Sequence, residues 1–312
     1  MVTTPSSNER AHQGVWCFSL DTELAWGVLE YPGFAEYRKR FDQARSVIDR
    51  MCLLFDQFRI PVSWAIVGRL LQQPEDLTQS DYPQLPDGTR PGDAPHHFHL
   101  PDIIRRIQSS SVGHEICSHS LTHLRFSERT TTRECVRREL AELRKVTSAR
   151  NLNPTSFIFP YNAEGFHDEL VRAGFRAFRG RTPQWYDAFG GVGLRAGHFV
   201  DQLAGIAPRI GVTQRHPSGL WNIPATAFLM PLRGARGIGG IRSRVRKIRA
   251  GIERLGEGGL FHLWSHPHNF FGEPDRMLEL LERVLTEVAG ARDCWKIRTL
   301  TMGNIADELD AA

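Results

Sequence analysis

Short, mostly apolar runs alternate along this chain with longer segments whose apolar positions recur at helical spacing. The runs at 15–20, 62–67, 113–118, 156–161, 175–178, 220–223 and 259–265 each predict a buried strand, and 295–300 a strand-like tail. Between them, 41–58 repeats Ala44, Val47, Ile48, Met51, Leu54 and Phe55 on one helical face, and 132–149 does the same with Val136, Leu140, Leu143 and Val146. Further helices are predicted at 102–108, 165–173, 237–255, 273–289 and 302–309, and Gly68 opens one that ends by Pro74. The segments at about 74–101 and 180–217 carry no clear period and read as long inserted loops, the first with His96, His97 and His99. Without a second ligand group at regular spacing, that His cluster reads as a solvent-facing or substrate-facing loop.

Repeated strand-then-helix units imply parallel strands with right-handed crossovers, hence an α/β barrel or a doubly wound sheet. Three polar clusters, Asp21/Glu23, His119/His123 and His266/His268, all follow the C-terminal ends of predicted strands, where a β/α barrel carries its catalytic groups. A doubly wound sheet would carry a phosphate-binding glycine fingerprint after its first strand, and none is present. The organisation expected is a polar leader over 1–13 and a single catalytic barrel domain over 14–312.

Composition narrows the function. The 312 residues, 41% of them hydrophobic, suffice for a large core, and every apolar run is too short or too interrupted by charge to cross a membrane. The N-terminus lacks the apolar stretch of a secretory signal, and five cysteines at unrelated spacings argue for a reducing compartment, so a cytoplasmic protein is expected. Cys17 and Cys117 sit in strand-like runs and read as core thiols. A net charge of only +4 gives no reason to expect a nucleic-acid partner. The Arg-rich helix around 243–254 could meet a sugar-nucleotide or lipid-linked phosphate or a membrane surface, but Ile241, Val245, Ile248 and Ile252 already explain its period and favour a solvated face.

The chemistry begins at Asp21 and Glu23, two carboxylates at the end of an apolar strand that need cations, donors or a metal. His119-Ser120-Leu121-Thr122-His123 offers two imidazoles that share a face if the segment is one helical turn, and two His with one carboxylate make an open catalytic Zn²⁺ shell. His114-Glu115-Ile116-Cys117-Ser118 lacks the second His of a zinc protease helix, and His262 reads as a hydrogen-bonded core residue. Trp26, Trp185, Trp221 and Trp264 are candidates to stack on sugar faces, whereas Trp64 is expected in the core.

An aspartate ending the first strand, the His-Ser-x-x-His motif, the Pro160-Tyr161 element and a late strand ending in His266 together resemble the polysaccharide deacetylases of the NodB-homology type, over about 16–268. The resemblance implies a distorted (β/α) barrel, one Zn²⁺ or similar divalent ion, and hydrolysis of N-acetyl groups on a carbohydrate or amino-sugar substrate. By motif position it makes Asp21 the general base, His119 and His123 metal ligands, the Pro160-Tyr161 backbone part of the oxyanion site and His266 the general acid. The common first motif has adjacent aspartates; here Thr22 takes the second place, and Glu23, matching an Asp-x-Asp branch, is assigned as third ligand. The arginine that usually precedes the Pro-Tyr element is replaced by Ile158 and Phe159, which leaves Arg179 or Arg181 to orient Asp21, and Trp221 to do the packing of a late Asp-Trp element. His268 competes with His266 for the acid role. Two other readings remain: a C–N hydrolase on a non-sugar amide of the purine-breakdown type, and a catalytically degenerate carbohydrate-binding barrel.

Overall fold

Strand β1 (Gly14–Thr22) is the axis of the sheet, because it pairs in parallel with three neighbours: β10 (Ile297–Thr299) along its first residues, β2 (Ser63–Ile66) along its last, and β9 (Leu260–Ser265) on the other edge. The computed structural model describes residues 13–30, 34–78, 81–82, 92, 94–255, 259–294 and 296–312. The predicted leader falls outside these residues except for Gln13, as do Trp295 and much of the 74–101 loop. From β2 the sheet continues through β3 (Glu115–Ser118), β4 (Ser156–Ile158) and β5 (Ala177–Arg179), all parallel.

The next stretch closes the ring. β7 (Trp221–Asn222) pairs with β5, Ala225 bridges to Arg181, and β8 (Ala227–Phe228) pairs with β9. One continuous segment thus hydrogen-bonds β5 on one edge and β9 on the other, giving the distorted (β/α) barrel that the resemblance implies; β6 (Gln214–Arg215) is an antiparallel appendage to β7.

The outer layer is formed by α1 (Phe34–Arg38), α2 (Ala44–Phe58), α3 (Ile103–Gln108), α4 (Arg133–Ser148), α5 (His167–Arg172), α6 (Gly191–Ala204), α7 (Gly240–Glu253), α8 (Pro274–Asp293) and α9 (Met302–Ala311). Helix α6 lies in the segment expected to be a loop; its glycines at 191, 193 and 197 break the sequence period, and it leaves Val192, Phe199 and Val200 exposed. Gly68 opens only a short 3-10 turn, Gly68–Leu71, rather than a helix.

The strand period of two decides what faces the site. On β1, Trp16, Phe18 and Leu20 join the apolar layer beneath the helices, while Cys17 turns inward to meet Ala65, Cys117, Ile158, Ala177 and Ile223 at the barrel's centre. These small or slender side chains fill a narrow interior. Above them, Ser19 accepts from Arg179 and meets His262 Nε2, and Asp21 follows at the mouth.

Candidate active site

Inward positions carried past the strand ends build the site. Ser19, Asp21 and Glu23 continue the inward register of β1, which puts Thr22 on the opposite face and explains why the carboxylate pair is spaced by one. His262, Trp264 and His266 do the same on β9, and Ala177 and Arg179 on β5. Asp21, Glu23, His119, His123, Tyr161, Asn162, Trp264, His266 and His268 line one cleft of about 350 Å³ at the C-terminal mouth, with Gly27 and Arg125.

Asp21 is gripped by a forked pair: Arg179 Nη1 donates to Oδ1 at 2.6 Å and Nη2 to Oδ2 at 2.7 Å. Arg179 is fully buried, and its guanidinium lies 4.5 Å from the Trp264 ring centre. It also donates to Asn162 Oδ1 at 3.2 Å. Of the two arginines considered from sequence, Arg179 therefore orients Asp21, while Arg181 pairs with Asp187. Burial alone would raise the Asp21 carboxyl, but Arg179, and then His119, outweigh it and hold the group below its ordinary value.

Glu23 sits between two imidazole pairs. Its Oε2 is 2.7 Å from His123 Nε2, and its Oε1 is 2.9 Å from His266 Nε2 and 3.9 Å from His268 Nδ1. Burial opposes its charge, yet His123 and His266 pull its pKa well below the usual range. Gly27 makes this position possible: a Cβ there would fall 1.6 Å from Glu23 Oε2.

The His119–His123 segment is not the helical turn allowed for from sequence. Ser120 and His123 adopt left-handed backbone, with φ of 60° and 64°, and the loop brings the rings to 5.0 Å between centroids. Glu139 on α4 holds that loop by accepting from the backbone N–H of Leu121 and Thr122. Unlike most charged side chains of α4, Glu139 is buried. His119 Nδ1 is 2.8 Å from the Ile158 carbonyl, which fixes its proton there and leaves Nε2 as the bare nitrogen. Burial lowers the His119 pKa to about 4, so the ring is neutral at pH 7.

This donor set fits a divalent ion. Glu23, His119 and His123 offer ligand atoms within 4.8 Å of one another, two imidazoles and one carboxylate, and His119 has the carbonyl partner on its other nitrogen that a ligating His uses. Glu23, His266 and His268 form a second such group on the same carboxylate.

His266 and His268 stack at 4.5 Å, but they differ in environment. His266 Nδ1 lies 3.3 Å from Asn269 Nδ2, and its Nε2 faces Glu23 and, at 3.9 Å, Asp21. Burial lowers the His266 pKa, but Glu23 and Asp21 more than reverse this and hold it above 6.5; burial takes His268 down to about 3. Tyr161 has left-handed backbone at φ 59°, its ring between His123 and the Arg125 guanidinium.

Other sequence expectations resolve differently. Of the four tryptophans considered for sugar stacking, only Trp264 lines the cleft: Trp26 is buried against Phe98, Trp185 donates to Asp201, and Trp221 donates to Asp310. His97 and His99 are buried rather than solvent-facing. Arg244, Arg246 and Arg249 of α7 are engaged within the chain, Arg244 with the Ile238 carbonyl, Arg246 with the carbonyls ending α6 and Arg249 with Glu287, and Lys247 pairs with buried Asp201. His262 is hydrogen-bonded in the core, to Ile223 O and Ser19. Asn162, Glu139 and Gly27 were not assigned to the site from sequence.

Residues 40–177 match the polysaccharide deacetylase family model. No curated protein matches the chain. Among solved structures, a Mycobacterium smegmatis protein assigned to the polysaccharide deacetylases is similar at a TM-score of 0.62 and 17% identity, covering 99% of this chain and 93% of that one. The Puue allantoinase is similar at 0.56 and 15%, covering 99% and 95%. A Pseudomonas aeruginosa PAO1 protein, also assigned to the polysaccharide deacetylases, gives 0.56 and 15%, covering 94% and 90%. Among the described residues, no helix is long and apolar enough to cross a membrane.

Proposed function

We propose that this protein is a metal-dependent hydrolase that removes the N-acetyl group of an amino sugar or glycan precursor, a reading supported by the match of residues 40–177 to the polysaccharide deacetylase family model. One observation carries the reading: Asp21, clamped by Arg179, lies in the same cleft as the Glu23, His119 and His123 donor set without belonging to it.

Amide hydrolysis needs an activated water, a stabilised oxyanion and a protonated leaving group. A divalent ion on Glu23, His119 and His123 would supply Lewis acidity to the acyl carbonyl and lower the pKa of the attacking water. Asp21 takes the proton from that water. The Arg179 fork fixes the direction of its lone pairs and keeps it ionised at neutral pH. The backbone N–H of Tyr161 supports the developing oxyanion. His266 gives its Nε2 proton to the departing amine, without which the tetrahedral intermediate reverts. Trp264, backed by Arg179, offers a flat apolar wall for a sugar ring.

Acetate release from a panel of N-acetyl amino sugars by the zinc-loaded protein tests this. The expected kcat/KM falls on the acid side as Asp21 gains a proton, below its ordinary 3.8, and on the alkaline side as His266 loses one, above 6.5. His266→Gln should lower kcat by roughly 10²–10⁴ and remove the alkaline limb. An alkaline limb that survives the substitution would take the acid role from His266. The fold shared with the Puue allantoinase supports a second reading, hydrolysis of a C–N bond in a non-sugar amide. A ring-opened or ureido product with no acetate from any sugar would favour it.

A further inference from the structure

We propose that Asp42, His96 and His97 form a second metal site, for a transition-metal dication such as Zn²⁺, that fastens the 95–100 segment to the turn beneath the active site. The proposal is independent of the catalytic reading, because none of its ligands lines the cleft.

Its ligand atoms are already gathered in one place. His96 and His97, neighbours in a short 3-10 turn, each bring Nε2 to 2.8 Å from the same Asp42 oxygen, Oδ1. All three ligand atoms lie within 4.8 Å of one another. The rings stand at 66° with centroids 4.2 Å apart, so their lone pairs converge from different directions. Two imidazoles and a carboxylate are a common zinc donor set, and exposed His96 and Asp42 leave room for water to complete the shell. His97 is the fixed ligand. It is 5% exposed and packed on Phe41.

The site has a structural consequence. Phe98, next to His97, accepts the Trp26 indole N–H at 3.0 Å, and Trp26 lies in the turn that immediately follows Glu23. On the Asp42 side, Phe41 packs against Phe271 and Tyr37, and Tyr37 against His268. An ion there would clamp together the two walls that hold Glu23 and His268.

Equilibrium dialysis against Zn²⁺ alone, followed by elemental analysis, separates the two sites. Wild type is expected to hold two ions per chain, and His119→Ala, Asp42→Ala and His96→Ala one each; His96→Ala removes an exposed ligand and leaves the core untouched. Saturating Zn²⁺ should raise the melting temperature of His119→Ala but not of the His119→Ala/Asp42→Ala double variant. Equal zinc in wild type, Asp42→Ala and His96→Ala would overturn the second site. A wild type holding one ion, lost in Asp42→Ala and kept in His119→Ala, would uphold it while removing the metal from the catalytic reading.

Discussion

Asp21→Asn is expected to abolish acetate release, leave the zinc content unchanged and lower the melting temperature. The amide has the carboxylate's shape but cannot take a proton from water, and loss of a positioned base costs typically 10²–10⁴-fold in kcat. The stability effect comes from the partner. Arg179 is fully buried and spends its fork on Asp21, so neutralising Asp21 leaves a guanidinium charge uncompensated in the barrel. Breaking a buried pair from one side costs about 3–5 kcal/mol, a large part of the stability of a typical domain. Ser19 and Asn162 still accept from Arg179, which favours a folded variant whose circular dichroism matches wild type. Turnover within a few fold of wild type would remove Asp21 from the reaction.

Gly27→Ala should be as damaging as removing Glu23 itself, although residue 27 carries no functional group. The added Cβ would lie 1.6 Å from Glu23 Oε2 and 2.1 Å from its carboxyl carbon. The turn cannot easily retreat, because Leu24, Ala25 and Trp26 are all buried and Trp26 is tied to the Phe98 carbonyl. The carboxylate therefore has to leave the position where it faces His123. The expected result is loss of one zinc and of turnover in a folded protein, with the Glu23→Ala/Gly27→Ala double variant no worse than Glu23→Ala alone. Full zinc binding and activity in Gly27→Ala would show that Glu23 is not needed where it sits.

The parts of the site readable in the sequence are those that follow the strand period. Asp21, Glu23 and His266 stand at the ends of apolar runs, and the alternation along β1 and β9 carries them inward. The His pair was visible as a motif, but its convergence depends on left-handed Ser120 and His123, which no helical or strand period announces. Arg179 could be shortlisted only because Ile158 and Phe159 stand where an arginine usually precedes the Pro-Tyr element; nothing local marks a buried arginine in a chain rich in exposed ones. Glu139 was hidden by its place among the charges of α4, since its partners are backbone N–H groups distant in sequence. Asp42 shows the same limit: His96 and His97 lacked a ligand partner in the sequence because theirs comes from a turn more than fifty residues earlier. Helix α6 escaped notice because its apolar positions are exposed and its glycines suggest a loop.

In the proposed mechanism Glu23, His119 and His123 hold the ion while Asp21 stands beside it. The most direct measurement is the zinc bound per chain by wild type, Glu23→Ala, His123→Ala and Asp21→Asn after dialysis at one free Zn²⁺ concentration. The prediction is one equivalent fewer than wild type in the first two variants and no loss in the third. A full complement of zinc in folded Glu23→Ala and His123→Ala would contradict it.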